Sequence, residues 1–111
     1  MKRIDHPTFG TGGNSDSFYN EGYKSTTQAP SWIKKIGLDA YEFEAGNGLK
    51  AGEETLRKIG DAARENGILM SFHTPYFISL SGTASLTRCP LLTILQRASL
   101  FVMNTACSVR K

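Results

Sequence analysis

No stretch of the chain approaches the roughly eighteen consecutive apolar residues that a membrane-spanning helix needs. No membrane contact is expected on that ground. The opening residues, MKRIDHPTF, are basic but lack a following apolar core, so no secretory signal is expected and the expected location is cytoplasmic. Cysteine is scarce. Cys89 and Cys107 are the only two, and in a cytoplasmic setting they read as free thiols rather than a disulfide. The most informative absence is regional. Residues 83–111 contain no glycine, aspartate or glutamate, and all 11 glycines and 10 acidic residues precede them. Residues 1–82 are therefore nearly neutral, while Arg88, Arg97, Arg110 and Lys111 supply the positive balance of the +3 chain. That balance permits contact with a polyanion without selecting one. At 111 residues there is room for one small domain and not for two.

What is present reads as an alternation of strands and helices. Residues 6–14, HPTFGTGGN, predict a short strand running into a glycine-rich loop. G-T-G-G lacks the lysine of a phosphate-cradling loop and the spacing of a dinucleotide fingerprint, so a plain βα turn is the favoured reading. Residues 15–24 predict a polar connection pinned by Phe18, Tyr19 and Tyr23. A helix is expected over residues 27–36, capped by Thr27, with Pro30 in its first turn and Gly37 as its left-handed stop. Trp32, Ile33 and Ile36 fall on one face of it.

Residues 38–45, LDAYEFEA, alternate as a strand, with Tyr41 and Phe43 on one side and Glu42 and Glu44 on the other. In an antiparallel sheet those glutamates would face water. In a barrel the same parity aims them inward, which makes Glu44 a site candidate. A second helix is expected over residues 53–66, with Glu53 and Glu54 favourably placed at its N-terminus, Leu56, Ile59 and Ala63 as its apolar stripe, and Gly67 closing it. Residues 68–73 form the third strand, ending in His73. On spacing alone, His73 reads as a histidine hydrogen-bonded at a strand rim. His6 reads as a surface histidine, and nothing singles out Ser15 or Asp16. Strand, helix, strand, helix, strand with short turns predicts βαβ units and a parallel sheet. A complete barrel takes about 250 residues, so the expectation is the first three β/α units of a TIM (β/α)8 barrel.

Three motifs together carry a family resemblance: the glycine-rich first turn running into G-N-S-D-S-F-Y, the helix ending K-I-G-L-D-A-Y-E-F, and the run I-L-M-S-F-H-T-P-Y-F-I-S-L. In order and in element length, residues 8–82 resemble the endonuclease IV family, zinc-dependent apurinic/apyrimidinic endonucleases built on a β/α barrel related to xylose-isomerase-like enzymes. The resemblance implies a trinuclear zinc cluster that activates water for phosphodiester hydrolysis in DNA repair. It implies that His73 is a metal ligand, and that Tyr76 and Phe77 push into abasic-site DNA, where aromatic wedges replace lost stacking. Thr74 and Pro75 fall where family sequences vary, and Ser79 replaces an amide residue found in some members.

The resemblance stops near Gly82. The family would continue into a charged helix and a fourth strand ending in another histidine ligand, with further carboxylate and histidine ligands on later strands. After His73 this chain has no histidine, aspartate or glutamate. A catalytic zinc needs three protein ligands, so endonuclease activity is not expected of this chain alone. Two readings of residues 83–111 stay open: a short apolar helix over 91–103 after Pro90, or translation in a shifted frame. Two functional alternatives also stand: a fragment of a sugar phosphate isomerase or epimerase of the same fold, and a non-catalytic barrel fragment that self-associates or aggregates through open sheet edges.

Overall fold

The computed structural model describes residues 5–76 and Gln96. The expectations for residues 83–111, and that for Phe77, lie outside the described residues. Seven short elements follow one another: β1 (Gly10–Gly12), α1 (Asp16–Asn20), a 3-10 turn (Thr26–Gln28), α2 (Ala29–Lys35), β2 (Ala40–Glu44), α3 (Glu53–Asn66) and β3 (Leu69–His73). The three strands form one sheet in the order β1-β2-β3, and both pairings are parallel. The expected α/β class with a parallel sheet is present, and the antiparallel alternative for Glu42 and Glu44 is excluded. Among the described residues, no helix is long and apolar enough to cross a membrane.

Parallel strands need crossovers, and here the helices supply them and build the core. Phe18, Trp32, Ile33, Leu56, Ile59 and Ala63 from the helices pack on Tyr41, Ile68 and Met70 at the sheet, all nearly or fully buried. Tyr41 and Met70 are register partners, so one face of the sheet is the floor of this core. α3 matches its expected bounds. Gly67 at φ 68° turns the chain out of the helix, and its N–H groups donate back to Ala63 and Arg64 carbonyls. Gly37 at φ 80° ends the α2 region in the same way.

Four local expectations are corrected. The first strand is the glycine segment itself, Gly10–Gly12, and not the residues ahead of it. A Cβ at Gly10 would overlap the Ala40 carbonyl, so the bare backbone is what lets β1 approach β2. Residues 16–20 are a helical turn rather than a plain connection, with the Ser15 Oγ accepting from the Phe18 N–H at 3.4 Å. The cap ahead of the next helix is Ser25, not Thr27. Its side chain accepts from the Thr27 N–H, and the Gln28 Oε1 accepts in turn from the Ser25 N–H at 3.1 Å, a reciprocal capping box. Ile36 lies past the last residue of α2 and is 41% exposed, because its helix ends one residue too early to carry it to the core.

Aromatic packing fixes the polar connection, as expected. Phe18 stacks on Tyr23 at 5.1 Å and meets Trp32 edge-on at 5.5 Å. Glu21 bridges to this cluster, accepting from Trp32 Nε1 at 3.2 Å and from Lys35 Nζ at 2.7 Å. Those two donors, Lys35 first, hold the Glu21 carboxyl below its ordinary range. Both partners of this ion pair are solvent-facing, so its net contribution to stability is small.

A second network ties the loop after β1 to the sheet. The Tyr41 hydroxyl donates to Asn14 Oδ1 at 2.9 Å, and Asn14 Nδ2 donates to Thr26 Oγ1 at 3.1 Å and to the Tyr19 hydroxyl at 3.3 Å. Burial, reinforced by Tyr19 and Glu44, pushes the Tyr41 phenol well above its ordinary value of 10.0. A raised folded-state value means that the stabilisation is complete below the unfolded value and is lost as pH rises through the folded one. Stability should therefore fall as pH is raised above 10, and Tyr41→Phe should remove that alkaline component. Urea midpoints measured between pH 8 and 11 on both chains check this; parallel pH curves would refute it.

Candidate metal centre

Strand parity sorts the sheet residues onto two faces. Tyr41 and Met70 point to the helices, and Glu42, Glu44, Ser71 and His73 therefore occupy the opposite face. Register then sets who meets whom. Gly12 pairs with Glu42, Glu42 with Ser71, and Glu44 with His73 at the carboxyl ends of β2 and β3. A potential ligand atom from each of Glu42, Glu44 and His73 lies within 4.8 Å of the others. His73 Nδ1 sits 3.4 Å from Glu42 Oε1. The other oxygen of Glu42 accepts a hydrogen bond from the Ser71 hydroxyl at 3.1 Å.

Glycines make the room. A Cβ at Gly12 would stand 3.2 Å from Glu44 Oε1, and one at Gly13 would stand 2.9 Å from Glu44 Cγ. Glu44 thus lies across the end of β1, where only glycine leaves space for it. Gly13, at φ 73°, leaves the sheet here while its N–H still donates to the Glu42 carbonyl at 2.9 Å. On the other side, the loop after β2 passes close to the imidazole, with the Gly46 Cβ position 3.8 Å from His73 Nε2. Backbone bonds from Ala45 N–H to the His73 carbonyl at 3.1 Å, and from Tyr76 N–H to the Gly46 carbonyl at 3.3 Å, hold the two loops together. A cavity of about 350 Å³ opens beside the cluster, walled by Phe43, Glu44, Asn47 and Lys50 among others.

One imidazole nitrogen and two carboxylates form a donor set suited to zinc and to neighbouring divalent transition metals. Around a zinc with bonds of about 2.0–2.1 Å, tetrahedral ligand atoms stand roughly 3.3 Å apart. The observed 4.8 Å limit is within side-chain rotation of that spacing, because all three groups are at least partly solvent-facing. The glycine cradle and the donor chemistry therefore fit a metal.

Of the residues singled out in the sequence, His73 and Glu44 come together here. Tyr76 sits in the loop that follows, its residue 82% exposed. His6 lies apart from the cluster, its Nδ1 2.9 Å from Asp5, both exposed. Glu42 and Ser71 are additions that the structure makes. Their signal in the sequence is parity alone, since Glu42 shares a side with Glu44 and Ser71 shares one with His73.

The fold and site define a class: a parallel α/β unit presenting a Glu-Glu-His cluster on the sheet face opposite the helices, at the strands' carboxyl ends. Comparison of the chain with protein-family models, curated proteins and solved structures gives no match in any of the three.

Proposed function

We propose that this chain carries the metal corner of an endonuclease IV-like β/α barrel, a lineage of zinc-assisted phosphodiester hydrolysis at abasic sites in DNA, and that the chain alone binds the metal without cleaving DNA. The observation that carries the reading is the convergence of Glu42, Glu44 and His73 at adjacent strand ends. The strand ends are also where barrels keep their chemistry. Further support comes from topology. The consecutive parallel order β1-β2-β3, with core helices on one face and polar residues on the other, is the order in which barrel units follow one another. The resemblance adds His73 as a ligand and Tyr76 and Phe77 as wedges into the duplex.

Bound zinc would polarise a phosphoryl oxygen and lower the pKa of a coordinated water. The chain's own residues hold the ion: His73 offers a neutral nitrogen, and Glu42 and Glu44 offset the ion's charge. Three donors satisfy one metal and leave none for the second and third ions of a trinuclear cluster. After His73 no further histidine or carboxylate side chain follows to supply them.

Elemental analysis of the purified chain, with a zinc titration by calorimetry, tests the binding half. Up to one zinc per chain is expected, with loss of uptake in His73→Ala. No zinc uptake by the wild type would refute it, and light scattering on that sample would then report whether the chain instead self-associates through its sheet edges. A nicking assay on a duplex with one abasic site tests the other half. No cleavage is expected, and robust metal-dependent nicking would overturn it.

A further inference from the structure

We infer that Glu42 is a positioning residue for His73, fixing which ring nitrogen carries the proton and leaving Nε2 as the nitrogen that meets a cation. The inference rests on the metal reading above for its consequence, and on local geometry for its substance. Glu42 has its two oxygens committed to different neighbours: Oε2 accepts from the Ser71 hydroxyl at 3.1 Å, and Oε1 lies 3.4 Å from His73 Nδ1. Both neighbours sit on β3, two residues apart on the same face, and Glu42 is the register partner of Ser71. The carboxylate is therefore spread along β3 by strand pairing rather than by a chance rotamer. A carboxylate can only accept, so its contact with a neutral imidazole places the proton on Nδ1. The lone pair then lies on Nε2, the ring atom on the side of the Gly46 loop.

Glu44 is the counterpart with a different duty. Its carboxylate lies against the bare backbone of Gly12 and Gly13, where a Cβ would crowd it, and Glu44 is the residue in register with His73. Of the two glutamates, Glu44 is the one left to ligate, and Glu42 holds the ring. Metal-bound histidines commonly donate their second N–H to a carboxylate, and losing that partner lowers metal affinity by about 10–100-fold.

The test begins on the metal-free full chain at pH 8.5. Long-range proton–nitrogen NMR reports the tautomer of each ring, and with two histidines in the chain, His73→Ala assigns the signals. The wild type should show His73 protonated on Nδ1. Glu42→Ala should move the proton toward Nε2 and weaken zinc binding by about 10–100-fold, and Ser71→Ala should shift both readouts in the same direction by less. If Glu42→Ala does not fold, Ser71→Ala carries the test by itself, with a measurable shift in tautomer expected. An unchanged tautomer would overturn the inference even where zinc binding weakens, because that pattern marks Glu42 as a plain ligand. A tautomer shift in a wild-type chain that takes up no zinc would support the positioning role and defeat the metal reading, so the two fail separately.

Discussion

Phe18→Ala should be among the most destabilising single substitutions in this chain, at about 3–5 kcal/mol. Phe18 is completely buried, and it belongs to a five-residue helix that has little else to hold it. Its ring stacks on Tyr23, meets Trp32 edge-on, and contacts Tyr19 at 5.3 Å, so truncation strips one face from three aromatic neighbours at once. Domains of this size have about 5–15 kcal/mol of net stability, and a loss of that order leaves much of the chain unfolded or near its midpoint. Trp32, the single tryptophan, reports the transition directly in urea titrations followed by fluorescence. Tyr19→Ala is the matched control. Tyr19 is 52% exposed, and its removal should cost far less. Equal losses for the two would show that the aromatic cluster is not the anchor of this region.

The consequence would reach the site through Asn14. Phe18 holds α1 down, and the loop between β1 and α1 carries Asn14, which accepts from Tyr41 and donates to Thr26. That loop also contains Gly13, against which Glu44 rests. Loosening α1 therefore loosens one wall of the metal corner without touching a ligand.

Which parts of this could be read from the sequence depends on how local their causes are. α3 was fully legible because one window holds everything that determines it: Glu53 and Glu54 at its start, the Leu56, Ile59 and Ala63 stripe, and Gly67 at its end. β2 and β3 were legible by alternation and by their apolar run. β1 was not, since glycines read as loop, and the reason they form a strand is the Ala40 carbonyl some thirty residues on. The Ser25 cap was hidden for a smaller reason. Three hydroxyl residues stand together at positions 25–27, and only the Gln28 side chain, folded back onto the Ser25 N–H, identifies which one caps. At the site, the parity of Glu42 and Glu44 was plain, and the inward-facing option for them depended on a parallel sheet. Choosing between them was out of reach, because the choice rests on the register of β2 against β3, a property of two strands separated by a helix. Ser71 carried no signal, being one hydroxyl in an apolar run whose role exists only once Glu42 is its partner.

Gly10→Val should cost about 3 kcal/mol, the upper end for overpacking, and should weaken the metal corner at the same time. The added Cβ would overlap the Ala40 carbonyl and crowd its Cα at 2.9 Å; those are backbone atoms with no rotamer to escape into. Either β1 peels from β2 or the sheet bends. In both cases the Gly10–Ala40, Thr11–Tyr41 and Gly12–Glu42 pairs are disturbed together, since β1 is only three residues long. Separation of β1 also removes Gly12 and Gly13 from the side of Glu44, so the carboxylate loses the surface that holds it near His73. Two further glycines grade the effect. Gly22→Ala meets nothing within 4 Å and pays only for its left-handed backbone at φ 91°, about 1–2 kcal/mol. Gly12→Ala meets one movable carboxylate oxygen at 3.2 Å, so it should leave stability nearly intact and displace Glu44 locally. Urea unfolding paired with zinc titration separates the three: Gly10→Val should move both readouts, Gly22→Ala stability alone, and Gly12→Ala zinc affinity alone. A Gly10→Val chain with wild-type stability would mean that β1 does not hold its place by the close approach of Gly10 to Ala40.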